Sequence, residues 1–165
     1  MQTHATLLMV AITIVLAALV LLMVLGMIPS WSRAKPPEPP AEPPITIINI
    51  SHISPKTGKS TSASRVYLLN NGCTVYKNND LKAVFYRDGW RVTSVSTLNG
   101  YLLIKSHHDG VQYLEGEGCC SRYWNPGEIM VVDIADRTFI RGSRVTVEII
   151  DRQTNEVISK HTVIA

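Results

Sequence analysis

The chain has 165 residues, 16 basic and 13 acidic side chains, and a net charge of +3. That is about one domain's length, and its scattered basic residues exclude an electrostatic case for nucleic-acid binding. Every Lys, Arg, Asp and Glu lies at Arg33 or beyond, which excludes a uniformly soluble design, and a single long apolar run excludes a multipass membrane protein.

Residues 5–28 read ATLLMVAITIVLAALVLLMVLGMI, without a charge. As a helix this run is about 36 Å long, enough to cross a ~30 Å hydrocarbon layer with some tilt. Thr6 and Thr13 are its polar residues, and each hydroxyl can bond to a carbonyl one turn back. Thr3 or Thr6 is placed to cap the start, Gly26 and Pro29 mark the end, and Trp31 suits a membrane interface. The run is longer than a secretory signal's apolar core of about 7–15 residues. It also lacks a basic flank and a small-x-small exit site, so residues 1–28 are predicted as a retained hydrophobic helix. Arg33 and Lys35 follow it with nothing basic before, which by the positive-inside rule favours a cytoplasmic C-terminal part. Glu38 and Glu42 weaken that bias.

Residues 29–44 form a spacer, within which RAKPPEPPAEPP at 33–44 has six prolines. Such a run lacks amide donors and favours extended polyproline II, so these twelve residues are a semi-rigid rod of roughly 35 Å.

From Ile45 the pattern is strand after strand. ITIINISHI (45–53), SRVYLLN (64–70) and CTVYK (73–77) come first, the last returning as a hairpin through Asn70-Asn71-Gly72. LKAVFYRD (81–88) and WRVTSVS (90–96) flank Asp88-Gly89, a strong hairpin signal. YLLIK (101–105) and VQYL (111–114) flank His107-His108-Asp109-Gly110. EIMVVDI (128–134), RVTVEIID (144–151) and EVISKHTVI (156–164) close the chain. Eight or so short strands over 45–165 predict an all-β sandwich head of immunoglobulin-like kind, long enough to bury its own core.

The run Thr6, Leu7, Leu8, Met9, Val10, Ala11, Ile12, Thr13, with Leu16, Ala17 and Ala18, resembles the N-terminal segment of archaeal type IV pilins. The head is similar too. Trp124-Asn125-Pro126-Gly127-Glu128 matches a W-x-P-G-[ED] element, and residues 145–158 match a V-x-V-x-[IV]-[IV]-D-x-x-[TS]-[GN]-x-V-I pattern. The resemblance implies a structural subunit of an archaeal pilus-like surface filament, its helix in the filament core and its head outside, in adhesion. It implies copies of itself or other pilins as partners through the helix, and the membrane before assembly. Family precursors carry a basic leader cut by a prepilin peptidase, whereas this sequence begins Met1-Gln2-Thr3-His4. A leader upstream would make the peptidase a partner and place the head outside. The alternative is a single-pass anchored surface binding protein that does not polymerise.

In a filament, small residues let helices approach closely, and Ala11, Thr13, Ala17 and Ala18 supply them as the packing seam. Among Cys73, Cys119 and Cys120, Cys73 with Cys119 or Cys120 is the plausible disulfide, linking an early hairpin to the loop 115–127. A bond between the adjacent cysteines is strained. His107-His108 and Cys119-Cys120 carry metal-ligand chemistry on neighbouring loops, but without zinc-site spacing, so no metal or cofactor is expected and a tethered metalloenzyme ranks third. Asp133 and Asp136 are explained by strand position and a turn. Gly116-Glu117-Gly118 lacks the Lys of a phosphate cradle, and no nucleophile motif is present, so no enzymatic activity is expected. Asn49-Ile50-Ser51 is an N-glycosylation sequon. The default for the aromatic residues is core packing, with Trp124 covering one end of the sandwich, and a surface-exposed subset around Trp90 or Tyr123-Trp124 is the adhesive alternative.

Overall fold

The computed structural model describes residues 2–26, 42–104, 107 and 110–165. The spacer thus lies almost wholly outside the described residues, as do Pro29, Trp31, Arg33, Lys35, Glu38, His108 and Asp109. The chain divides into two compact units, residues 1–41 and 42–165.

The first unit contains helix α1, Gln2–Gly26. It begins three residues earlier than predicted, so Thr3 and Thr6 fall inside the helix rather than at its cap. Its described residues run to Gly26. The Thr13 hydroxyl reaches back to the carbonyls of Met9 (2.7 Å) and Val10 (3.0 Å), which satisfies it without water.

The second unit is a β-sandwich. Its strands are β1 (Ile45–Ile53), β2 (Ser60–Asn70), β3 (Tyr76–Lys77), β4 (Leu81–Arg87), β5 (Trp90–Val95), β6 (Val111–Glu115), β7 (Tyr123–Trp124), β8 (Ile129–Ile134), β9 (Arg144–Asp151) and β10 (Val157–Ile164). One antiparallel sheet has the order β1-β2-β8-β6 and the other β10-β9-β4-β5. Alternation along the strands sends one set of side chains inward. Val66 and Leu68, Met130, Val132 and Ile134 from the first sheet meet Leu81, Ala83, Phe85, Val145, Val147 and Ile149 from the second in one core. Phe139, on the β8–β9 connection, closes one end against Phe85, with ring centroids 6.3 Å apart.

The sheets are also joined at an edge. The Ser159 hydroxyl donates to the Ile45 carbonyl at 2.7 Å and accepts from its N–H at 3.2 Å. Two residues on, the Ile47 N–H donates to His161 Nδ1 at 2.9 Å, which fixes the ring proton on Nε2 in the neutral imidazole. Strand β1 therefore runs parallel to β10, with side chains of β10 standing in for a backbone ladder.

The Asp88-Gly89 hairpin forms as predicted, both residues at positive φ (51° and 87°), and joins β4 to β5. Two predicted strands are corrected. CTVYK does not return along β2, because β2 already has β1 on one side and β8 on the other. Instead the Asn70 side chain donates to the carbonyls of Thr74 (2.9 Å) and Trp124 (3.2 Å), and only Tyr76–Lys77 extends, pairing with β7. Residues 101–104 of YLLIK form no strand either. The Asn99 side chain accepts from the Tyr101 N–H at 3.0 Å and sets a 3-10 turn at Gly100–Leu102. Consequently β6 pairs with β8 rather than with its sequence neighbour.

Candidate functional site

The helix carries the first candidate surface. Every side chain from His4 to Leu21 is exposed, Leu7 at 67% and Met9 at 69%. The helix is apolar all round and has no polar face to turn to water. The four small residues do not form one seam. At 3.6 residues per turn, Ala11 and Ala18 share one face, while Thr13 and Ala17 share another, turned from the first by roughly 130°. Close approach is therefore available on two sides of α1.

In the head, all three cysteines are free thiols, so the proposed link from the early hairpin to loop 115–127 is not formed. Cys73 and Cys120 are exposed, and Cys119 is buried. The Cys119 and Cys120 sulfurs lie 3.8 Å apart. Burial, reinforced by Cys120, pushes the Cys119 thiol up to about 12, so it stays protonated and is a poor nucleophile or metal ligand. Among the described residues, no group of three or more His, Cys, Asp and Glu side chains converges to hold a metal ion. His107 donates its N–H to the Ile104 carbonyl at 2.8 Å within a turn. Asn49 is exposed on β1, beside a register shift.

Gly116-Glu117-Gly118 has a packing role. A Cβ on Gly118 would stand 2.6 Å from Trp124 Nε1, and one on Gly116, at φ +96°, would stand 2.5 Å from the Ile129 carbonyl oxygen. The loop thus lies flat on the buried Trp124 ring, whose Nε1–H donates to the Glu128 carbonyl at 2.9 Å. Trp124 is fully buried, as its predicted place at the end of the sandwich requires.

Asp133 and Asp136 belong to a cluster whose centre the sequence alone does not reveal. Arg65 points from β2 to the outer face of the first sheet yet is only 7% exposed. It is paired with Glu115 on β6, and its Nε lies 3.6 Å from Asp133 Oδ2 on β8. The register that sets Arg65 beside Asp133, and Asp133 beside Tyr113, assembles the group. Burial, with Glu115 and Asp136 adding to it, holds the Asp133 carboxyl above its usual range despite Arg65. One signal was available in sequence: an Arg between the inward-facing Ser64 and Val66 of a central strand.

No family model and no curated protein matches this sequence. Among solved structures, the chain is similar to the archaellum periplasmic stator protein FlaG from Sulfolobus acidocaldarius. That match has 15% identity over 73% of this chain and 97% of that chain, with a TM-score of 0.42. It is also similar to a chain of the FlaF and FlaG stator complex from the same organism, at 14% identity over 74% of this chain and 88% of that one, with a TM-score of 0.42.

Proposed function

We propose that the protein is a structural subunit of an archaeal type IV pilus-like surface filament, its helix packed in the filament core and its sandwich displayed outside for adhesion. One observation carries this reading: α1 is uncharged, and from His4 to Leu21 it is apolar on every face and exposed. Such a helix is stable only in lipid or against other apolar helices, and a pilin helix occupies the two in turn. The N-terminal motif and the small residues on two faces favour packing between copies over a permanent anchor. No catalytic step belongs to this reading.

The test is to shear filaments from cells that produce the protein and identify their subunits by mass spectrometry. Recovery in the filament fraction, in repeated stoichiometry, is the expected result. Confinement to the membrane fraction would overturn the assembly and leave a membrane-anchored binding protein.

A further inference from the structure

The Arg65 cluster lines a cavity of about 410 Å³ on the outer face of the first sheet. This is within the range of small-ligand sites, roughly 300–1,000 Å³. The cavity lies in the head alone, so its chemistry is the same whether or not the helix polymerises.

That chemistry is mixed. Lys56 and Arg65 contribute two cations, and Glu115, Asp133 and Asp136 three carboxylates. An anion entering the cavity meets carboxylates, and a simple cation meets Arg65 and Lys56, so neither sign of ion has a clear preference. The cavity instead offers closely spaced donors and acceptors: guanidinium, ammonium and the Gln112 amide beside three carboxylates and Thr61. One wall is Tyr113, 48% exposed, whose ring gives an apolar face next to those groups. Arg65 is held in place by carboxylates on two sides: it is more than nine-tenths buried, paired to Glu115, with its Nε 3.6 Å from Asp133 Oδ2.

We propose that this cavity binds an uncharged pyranose sugar. Each hydroxyl of such a ring both donates and accepts, which matches a wall that carries both cations and carboxylates. Its C–H face is apolar and matches the Tyr113 ring. Bonds from hydroxyls to charged groups are among the stronger neutral-ligand contacts. Asp133, kept partly dry by burial, is positioned by Arg65, and Asp136 stands at the rim, where it accepts from Ser62 Oγ at 3.4 Å.

The experiment is saturation-transfer NMR on the full chain in zwitterionic micelles, since a detergent with a sugar head would itself compete. The probes are glucose, galactose, mannose and N-acetylglucosamine, each also as its methyl glycoside. n-Butylammonium and methyl phosphate, each with C–H protons to observe, are the ionic controls. At least one sugar is expected to bind in the millimolar range, and Asp136→Asn and Tyr113→Ala are each expected to weaken it about tenfold or more, with unchanged melting. Both residues are exposed, and Gln112→Ala is a third rim variant should either destabilise the head. Preference for the methyl glycosides would identify a chain-linked glycan as the source, and preference for the reducing sugars a free saccharide. The proposal is overturned if no sugar binds at about 20 mM, if sugar binding is indifferent to all three variants, or if only an ionic control binds.

Discussion

Two glycines decide how the loop between β6 and β8 packs. Trp124 is fully buried and tied through Nε1 to the Glu128 carbonyl, so its ring has no room to swing. A methyl group on Gly118 meets that ring at 2.6 Å and 2.7 Å, well inside contact distance. Gly118→Ala should therefore cost about 1–3 kcal/mol by overpacking, read as a lower urea midpoint with unchanged slope. Gly127→Ala is a useful contrast, because a Cβ there meets nothing within 4 Å and only its φ of +81° resists the change. A Gly118→Ala midpoint equal to wild type would show that the loop yields and that the close packing is not binding. The sequence identified this Gly-x-Gly as something other than a phosphate loop but not as a seat for Trp124. The reason is physical: the place of the Trp124 ring is set by the pairing of β7 with the distant β3 and by the Glu128 carbonyl, neither of which the spacing of the glycines reveals.

At the scale of elements, strand existence was legible and strand pairing was not. Alternation and turn residues located β1, β4, β5, β8, β9 and β10 to within a residue or two, because each has one buried face. The predictions failed where a short apolar run lay next to an asparagine with a structural task. Asn70 and Asn99 bind backbone groups in their own neighbourhood, and each converts a run that alternates like a strand into a turn. Cross-strand chemistry was equally hidden. Glu148 on β9 accepts from Lys160 on β10 at 2.8 Å and from the Tyr86 hydroxyl on β4 at 2.8 Å. The hydrogen bond from Lys160, helped by that from Tyr86, holds the Glu148 carboxyl below its usual range. The same contact raises the Tyr86 hydroxyl above its usual range. A carboxyl depressed in the folded state contributes stability above its unfolded value and loses it as pH falls through its folded value. Glu148→Gln should thus be less stable than wild type at neutral pH, and the gap should close as the pH is lowered through and below the usual carboxylate range. Urea midpoints across that range check it. Asp133 acts with the opposite sign, since its raised carboxyl relieves a cost on protonation, so the test is the difference between the two proteins rather than the shape of either curve. A gap independent of pH would remove the ion pair from the account.

For the molecule as a whole, the division into an apolar N-terminal piece and a mixed-charge remainder was readable from charge distribution alone, since no Lys, Arg, Asp or Glu precedes Arg33. The Arg65 cavity was not, because it depends on three strands brought together by pairing. What the helix does separates by substitution, because lipid and helix packing penalise different changes. Ala17→Asp places an unpaired charge near the middle of α1, and a charge at a bilayer centre costs about 2.5–3.5 kcal/mol even on insertion scales. That variant should fail to assemble, but it also burdens an ordinary anchor, so its failure alone does not discriminate. Ala17→Val does. Lipid accepts the extra methyl groups readily, and Val belongs in a membrane helix as comfortably as Ala. A close helix–helix contact does not accept them, because overpacking displaces the neighbouring backbone. Ala11→Val repeats the test on the other small-residue face, roughly 130° away. In a filament subunit both variants should reach the membrane at wild-type levels and appear in sheared filaments at several-fold lower yield. Quantitative immunoblots of membrane and filament fractions provide the measurement. Wild-type filament yield from both variants would mean that neither face lies against another helix, and the small residues would then be a feature of the membrane span alone.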